Sequence, residues 1–466
     1  MAKRIVTLDV LRGFSIFMMC GFHVFVNSAK LMDNTDAMFD NIGLLIVGLF
    51  VFLFGHFRGF FILISGAANC YVMMRGAKKG GSAGKIAARQ IGGGLFLVIF
   101  GHLKDTFINQ WGILRDWYLD GLFGSGTFDW STQWSESWQL GIISEAIQSI
   151  GWTVLLTSII MLLLIKILGA EKRKMIIVAM LVIAFAVIFV SPLIQTALGD
   201  TLTYTDSNYT ITDGSTPWKV DKTGWQWYNY LLLYMIYDLG GAESPIFPML
   251  GYCLFGAVIG IALAKDNLKK KFIGIGVLYG ILLIVAGVGV ILYEMFLGGG
   301  WTLDVNFHVH PTWYVFAASG LQVLVVIITL RLFEFNKGLT KEQIKKRTQW
   351  MRRWGLFSLT VYTLQILEYL PRGILAAIFP ASNLDQWTES SVTWVLIFMV
   401  VNWLMWAGIM RLWEKLKMKG TFEWLLLNIA KRGKGINKDD PLNVQGILYD
   451  CEPIVAFEPE EAAPAE

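Results

Sequence analysis

The first apolar segment of the chain carries polar side chains that could do chemistry. They are two charged groups, an imidazole and an amide, in the order Asp9, Arg12, His23 and Asn27. Offsets of 3, 11 and 4 residues place them near one face of an α-helix. Imidazole can remove a proton and guanidinium can bind an anion, and both are costly inside a membrane span. The alternative is structural, with Asp9 and Arg12 paired at the interface and His23 buried.

A second polar stripe follows His56. Arg58, Ser65 and Asn69 stand 7 and 4 residues apart, so they share one helix face in otherwise apolar sequence. Hydrogen bonds between helices would account for Ser65 and Asn69. An arginine inside a span is harder to explain in that way, which favours a functional role for Arg58.

Weaker signals occur near other predicted helices. These weak candidates are Glu145, Gln148, Ser358, Tyr362, Gln365 and Glu368. Many polar residues at such positions are explained by helix caps or by hydrogen bonds between helices. His102, with Lys104 and Asp105 close behind it, is predicted to be interfacial. His308 and His310 have no further metal-type ligands near them in sequence, so no metal site is expected.

The composition indicates the solvent that these residues face. Of the 466 residues, 55% are hydrophobic and only 16% are charged, whereas soluble domains carry about 25% charged residues. Apolar runs of about 18 residues can cross the ~30 Å hydrocarbon core as helices. An all-α, polytopic membrane bundle is therefore predicted, with about ten transmembrane helices near 8–28, 42–74, 90–104, 146–165, 175–195, 245–264, 272–297, 312–331, 354–376 and 392–411.

Lysine and arginine are distributed unequally between the two sides of this arrangement. They concentrate in alternate connections, at 75–89, 166–174, 265–271 and 331–353. Basic loops stay in the cytoplasm, which predicts a multi-pass plasma-membrane protein with cytoplasmic N- and C-termini. The first segment is interpreted as a retained helix, since no cleavage site follows it. The cysteines show no disulfide framework or metal-type spacing.

Three stretches are too long for the simple pattern of spanning helices joined by turns. They are segment 42–74 and two long connections. As one helix the segment would be ~50 Å long, so it is predicted to bend or break near Gly55 and Gly59. Connections 105–145 and 196–244 are predicted to form an extracytoplasmic cap. Tryptophans in the first of them suit either an interfacial belt or a carbohydrate-stacking surface.

The chain is divided by this pattern into two parts. Residues 1–411 form the predicted transmembrane domain. Residues 412–466 are expected to be a cytoplasmic tail, first basic and amphipathic, then acidic and disordered. No internal repeat or inverted pair of broken helices is evident, which counts mildly against a transporter.

The opening stretch resembles the LDxxRG start of the transmembrane acyltransferase superfamily, with Leu8, Asp9, Arg12 and Gly13 at the motif positions. That superfamily includes the heparan-α-glucosaminide N-acetyltransferase catalytic family, YeiB-like membrane proteins and OafA-like O-acyltransferases. Arg12 and His23 match the Arg-x10-His pattern of the OafA-like branch, where the other two branches usually carry Asn. This match makes His23 a branch-specific feature.

Further segments resemble the same superfamily in the same order. They are 56–66, similar to the YeiB-like KFRxLFSLLFG; 145–151, similar to LQRIG; 247–256, similar to FPxxPW; 310–312, loosely similar to YPPS; 355–365, similar to GRMALTNYLLQ; and 420–425, similar to GPLEWL. One departure is that residues 44–54 contain no histidine, whereas the heparan-type enzymes place their reactive histidine in the corresponding stretch. The reactive residue is therefore His23, or else His56.

The resemblance implies a membrane-embedded acyltransferase that takes acyl-CoA, such as acetyl-CoA, as co-substrate and needs no metal. The acceptor would be a hydroxyl or amine of an extracytoplasmic sugar or envelope component. Among the candidate site residues, His23 would act as base, and Asp9 belongs to the same motif. The acyl-CoA donor would be held by Arg12, Arg58, Ser65, Asn69 and Gln365. Membrane lipid is an expected partner and a homo-oligomer is possible, whereas nucleic acid is not expected.

Two other functions fit the same residues. A transporter or exporter of a lipid or sugar intermediate would use the buried charges as a substrate path. A non-catalytic membrane partner would use the tryptophan-rich connections as a binding surface.

Overall fold

The computed structural model describes most of the chain, and the description below is restricted to those residues. They are 5–29, 57–108, 145–205, 227–240, 244–265, 268, 271–297, 310–335, 338–384, 390–431 and 439–449. Their contacts divide into two compact units. The first contains Arg58–Asp266 and Gly274–Leu324, and the second contains Lys3–Phe57, Asn267–Ile273 and Val325–Glu466.

Helices account for nearly all of the described structure. In chain order they are α1 Val6–Ser28, α2 Phe57–Lys78, α3 Ala83–Phe107, α4 Ala146–Leu168, α5 Arg173–Thr205, α6 Trp227–Gly240, α7 Ile246–Leu263, α8 Lys271–Phe296, α9 Thr312–Phe333, α10 Lys341–Leu356, α11 Ser358–Thr363, α12 Tyr369–Ile378, α13 Val392–Lys415, α14 Phe422–Lys431 and α15 Val444–Leu448. Within the described residues, nine helices are long and apolar enough to cross a membrane. The predicted all-α polytopic bundle is confirmed.

Helix α7 forms the centre of the first unit. It is buried along almost its whole length, as expected for a helix that is apolar on all sides. Small residues bring it against α2, because a Cβ on Gly256 or Gly260 would overlap the α2 backbone. Gly94 of α3 and Gly151 of α4 make a similar close contact. Such contacts between small residues are typical of helix packing in membranes.

Helix α2 contains one of the two glycines near which a bend was predicted. It is described from Phe57 onwards, and Gly59 lies inside the regular helix rather than at a break. A Cβ on Gly59 would lie 2.9 Å from the Tyr252 ring, so this glycine provides room for a neighbouring side chain. Gly55 lies outside the described residues.

The predicted cap connections are only partly described. Helix α5 continues to Thr205 and helix α6 occupies Trp227–Gly240, so the connection predicted at 196–244 contains helical structure. Most of the connection at 105–145, with its tryptophans, lies outside the described residues.

The segment predicted as a ninth span, 354–376, differs from the other crossings. It is not one helix: α10 ends at Leu356, the short α11 follows, a 3₁₀ turn spans Gln365–Glu368, and α12 begins at Tyr369. We call the whole stretch from 341 to 378 the discontinuous segment.

The discontinuous segment follows α1 in the same direction through the second unit. Near the start of α1, Ile344 packs with Val6 and Val10. Farther along, Leu375 belongs to the same apolar cluster as Val24 and Phe25. The start of α1 therefore lies against α10, and its end lies against α12.

Close approach of α1 and α10 depends on two glycines. A Cβ on Gly13 would overlap the backbone carbonyl of Met351, and a Cβ on Gly355 would lie 2.5 Å from the carbonyl oxygen of Asp9. Beyond this contact, the Phe17 ring meets Trp354 edge-on at 5.3 Å between centroids and stacks on Trp403 of α13 at 4.1 Å. Aromatic packing thus joins α1, α10 and α13.

The chain after residue 411 is not a loose extension throughout. Helix α13 continues to Lys415, and α14 and α15 follow. Arg352, which is 1% exposed, donates to the carbonyls of Ile447 and Leu448. Residues 439–449 of the predicted tail thus pack against α10, and the acidic end lies outside the described residues.

Candidate functional site

The polar face of α1 meets the 3₁₀ turn of the discontinuous segment. His23 Nδ1 lies 3.1 Å from Gln365 Oε1. An amide oxygen only accepts hydrogen bonds, so Nδ1 carries the proton in this pairing. The neutral ring then has its lone pair on Nε2, which is the form required of a general base.

A second polar pair lies one helical turn farther along α1. The Asn27 side chain is within hydrogen-bonding reach of Glu368, and Arg372 interacts electrostatically with the same carboxylate. Glu368 and Arg372 are both buried, and Arg372 Nε donates to the carbonyl of Leu384. Two successive turns of α1 are therefore joined to the 3₁₀ turn by polar contacts. The break in the helix places these side chains against His23 and Asn27.

The other end of the α1 polar face lies near the start of the helix. Asp9 is buried and its carbonyl lies against Gly355, whereas Arg12 is partly exposed. Eleven residues at 1.5 Å each separate Arg12 from His23 by about 16 Å along the axis. Arg12 therefore cannot touch a group that reacts at His23. It can bind an anionic end of an extended ligand whose other end reaches the imidazole.

Three of the residues predicted to hold acyl-CoA lie on α2, in the first unit. They are Arg58, Ser65 and Asn69. Arg58 donates to the Ser244 hydroxyl. Ser65 is buried, and the Asn69 carbonyl accepts from Gln90 Nε2 at 2.9 Å. This contact of Asn69 joins α2 to α3, as an interhelical hydrogen bond does. A cavity shared by Arg58 and the α1 face stays a prediction, and His56 lies outside the described residues.

A buried charged cluster in the first unit was not expected from the sequence. Lys104 Nζ lies 2.5 Å from Asp105 Oδ1 and 3.0 Å from Glu145 Oε2. Gln148 Nε2 donates to the other Asp105 oxygen at 2.6 Å. These residues come from facing ends of α3 and α4. Buried ion pairs of this kind need hydrogen bonds to every charged group, and Gln148 supplies one of them.

His102 is part of a second polar group in the same unit. Its Nε2 lies 3.3 Å from Asp238 Oδ2, and Trp152 Nε1 donates to that same oxygen at 2.7 Å. The Tyr234 ring meets the imidazole edge-on. His102 was predicted to be interfacial, and its side chain is only 16% exposed. Charges at the ends of α3 and α4 could have indicated the Lys104 cluster, but no sequence signal links His102 to Asp238.

His310 has a structural partner. Its Nδ1 lies 2.9 Å from the Tyr252 hydroxyl, and both residues are buried. Among the described residues no group of three or more His, Cys, Asp or Glu side chains could hold a metal ion.

Comparisons with known proteins found no family model that matches the chain and no match among curated proteins. The functional argument therefore depends on the residues themselves. In the second unit these are His23, held by Gln365, and the polar face of α1.

Proposed function

We propose that the protein is a membrane-embedded acyltransferase that moves an acyl group from acyl-CoA to a hydroxyl or amine. The observation that carries the proposal is the contact between His23 Nδ1 and Gln365 Oε1, which leaves the imidazole lone pair on Nε2. The resemblance of residues 4–425 to the transmembrane acyltransferase superfamily supports the same reading. The acceptor is an extracytoplasmic sugar or envelope component.

His23 is the proton carrier of the proposed reaction. Nε2 takes the proton from the acceptor hydroxyl or amine as the acceptor oxygen or nitrogen attacks the thioester carbonyl. The carbon–sulfur bond then breaks, and the imidazolium returns its proton to the departing CoA thiolate. Transfer through an acyl-histidine would use the same nitrogen as nucleophile, and the proposal covers both routes.

Gln365 is a positioning residue in this scheme. Its amide oxygen accepts from Nδ1 and fixes both the tautomer and the ring orientation. Gln365 itself is 9% exposed and lies in the 3₁₀ turn, so its own position is set by the packed segment around it. A rigid partner of this kind maintains the geometry of a general base.

Basic residues would hold the phosphates of the donor. Arg352 and Arg353 are not available for that role, since Arg352 binds backbone carbonyls and Arg353 Nε donates to Glu414 at 2.7 Å. Lys346 and Arg347 of α10 are exposed instead. With Arg12 they are the cationic side chains best suited to bind phosphate on the predicted cytoplasmic side.

One observation favours the transporter alternative. Discontinuous helices with polar side chains at the break form substrate sites in many transporters, and the stretch 341–378 contains such a break. Transport alone would leave the thioester of acyl-CoA intact.

Consumption of acetyl-CoA by the purified protein separates these functions. Release of the CoA thiol is measured with glucosamine as an amine- and hydroxyl-bearing acceptor, together with equilibrium binding of CoA. The enzyme proposal predicts CoA binding and thiol release that depends on protein concentration. Absence of both would contradict it and favour the transporter or the non-catalytic partner.

A further inference from the structure

The turn that joins α13 to α14 contains a lysine whose backbone is in a conformation that lysine rarely adopts. Lys417 has a φ of 54° and Met418 has a φ of 61°, both in the left-handed region. This turn closes the end of α13, since the N–H of Met418 donates to the carbonyl of Trp413 at 3.0 Å. Glycine takes this conformation without steric cost and is the usual residue at such helix ends, so a lysine at 417 requires an explanation.

The other residues with this conformation are explained by their type or by their packing. Among the described residues, four that are not glycine have a positive φ. Asn383 and Asn443 are asparagines, which tolerate the left-handed region because their short polar side chain can form local hydrogen bonds. Met418 is completely buried, so its side chain is used in packing. Lys417 is exposed, and packing therefore does not explain its side chain.

The exposed charges of this turn all have the same sign. Lys415, Lys417 and Lys419 are exposed and stand at alternate positions. The two carboxylates nearest to them in sequence, Glu414 and Glu423, are used inside the fold. Glu414 accepts hydrogen bonds from an arginine of α10 and from the tyrosine after α15, and Glu423 accepts from backbone N–H groups of α11. The three lysines therefore form a cationic patch, which we call the lysine turn.

Exposed apolar side chains lie on both sides of the lysine turn in sequence. Leu412 and Leu416, four residues apart at the end of α13, are 63% and 61% exposed. Leu425 and Ile429, four residues apart on α14, are 38% and 49% exposed. Helix α13 is long and apolar enough to cross a membrane, so its exposed leucines are suited to contact acyl chains. The lysines between the two apolar pairs are then suited to the level of the lipid headgroups.

Orientation of the chain in the membrane does not account for Lys417. Lys415 and Lys419 would mark a cytoplasmic connection equally well with a glycine between them. Lysine at 417 instead adds a third ammonium group at the cost of an unfavourable backbone conformation. Strained residues of this kind are frequent at ligand sites, where the side chain has a use that offsets the strain.

We propose that the lysine turn binds the phosphate of an anionic phospholipid whose acyl chains lie along Leu412 and Leu416. Ammonium groups form charge-assisted hydrogen bonds with phosphate, and the exposed leucines suit acyl chains. A soluble anion or an acidic protein would use the charges but would leave the leucines without a partner. This inference does not depend on the proposed acyltransferase activity, because no step of that reaction uses the lysine turn.

The test measures which lipid contacts the protein beside the lysine turn. The substitution Leu416→Cys, combined with Cys451→Ser, provides one accessible thiol for a bimane label, since Cys20, Cys70 and Cys253 are buried. The labelled full chain is reconstituted into phosphatidylcholine vesicles that contain either brominated phosphatidylglycerol or brominated phosphatidylcholine. Quenching of the bimane by each brominated lipid gives the preference for the anionic lipid at this position.

The labelled protein without further substitutions should prefer phosphatidylglycerol. Lys417→Gly should lower that preference about fivefold, the effect of one lysine near an anionic membrane surface. Lys417→Arg keeps the charge and should keep the preference. The matched control is Lys79→Gly, which removes an exposed lysine from another turn and should leave the preference at the label unchanged. In neutral detergent without anionic lipid, the thermal midpoint of Lys417→Gly should equal or exceed that of the wild type, because the left-handed backbone suits glycine.

Equal quenching by the two lipids in the labelled protein would overturn the inference. An unchanged preference in Lys417→Gly, or an equal fall in Lys79→Gly, would also overturn it, since Lys417 would then have no specific role. A lower thermal midpoint of Lys417→Gly would assign the lysine to the stability of the fold instead. A preference that appears only in a chain ending at 451 would show that the acidic end of this chain, rather than lipid, occupies the lysine turn.

Discussion

At the scale of single residues, the sequence identified both members of the candidate pair but not the contact between them. His23 and Gln365 were both recognised, His23 from its place on a polar face and its motif, and Gln365 from a weak polar pattern. Their pairing across 342 positions was not foreseeable, because it depends on a break in a helix elsewhere in the chain.

The Lys104 cluster makes a stability prediction at the same scale. Lys104→Met would leave the buried Asp105, and Glu145, which is 23% exposed, without their shared cation, and breaking a buried pair such as Lys104–Asp105 costs about 3–5 kcal/mol. The free energy of unfolding in detergent should therefore fall by that amount. The control Lys85→Met, at an exposed position of the same helix, should change it by less than about 0.5 kcal/mol. Equal stability of both variants would show that the cluster is not energetically coupled.

At the scale of elements, the discontinuous segment is the main departure from sequence expectation. Hydropathy marks 354–376 as one apolar run, and hydropathy alone cannot distinguish a straight helix from short helices in series. One sequence signal was present. Pro371 lies in the first turn of α12, where proline is tolerated, and it disfavours a helix that continues through it. The 3₁₀ turn precedes that proline.

Helix α11 is fixed by an acidic side chain from α14. Glu423 accepts from the backbone N–H of Leu359 at 2.6 Å and of Thr360 at 3.1 Å, at the start of α11. Burial raises the pKa of the Glu423 carboxyl, and these donors oppose that effect. The segments 355–365 and 420–425, both noted for their resemblance, thus meet in the structure.

The contact between α1 and α10 predicts the effect of a single methyl group. Gly13→Ala would place a Cβ into the Met351 carbonyl, and overpacking of this kind costs about 1–3 kcal/mol. The matched control is Gly408→Ala on α13, where a Cβ meets no atom within 4 Å. The control should be neutral or slightly stabilising, because alanine favours helix. Comparable thermal midpoints for the two variants would contradict the described packing.

The C-terminal region gives a second prediction for this scale. A chain ending at 438 lacks the carbonyls that Arg352 binds and the Tyr449 hydroxyl that donates to Glu414. That hydrogen bond raises the pKa of Tyr449, so the phenol stays protonated at alkaline pH. The shorter chain should unfold at a lower temperature, whereas a chain ending at 451, which keeps these contacts, should match the full chain. An equal fall in the unfolding temperature of both shortened chains would show that the acidic end, which both lack, causes the effect.

At the scale of the whole molecule, composition was sufficient for the fold class. Nine apolar helices within the described residues confirm the membrane bundle, because long apolar runs have few other stable arrangements. Division of the chain into two compact units was not predicted, since units are defined by contacts between distant segments. Orientation in the membrane stays a prediction from lysine and arginine.

Orientation is tested by labelling single cysteines in intact cells. A cysteine at Ser82 lies in a connection predicted to be cytoplasmic, and one at Ser207 lies in a connection predicted to be extracytoplasmic. An impermeant reagent should label only the second before lysis and both after it. Labelling of both positions to the same extent from outside would contradict the ten-helix topology.

The central claim is that His23 serves as the base for acyl transfer, and one rate measurement tests it most directly. Release of the CoA thiol from acetyl-CoA, with glucosamine as acceptor, is compared between the wild type and His23→Asn. Asparagine keeps a hydrogen bond with Gln365 possible but supplies no base, so the rate should fall about 10²- to 10⁴-fold while CoA affinity is retained. A variant that keeps the wild-type rate would show that His23 is structural, and His56 would then become the leading candidate.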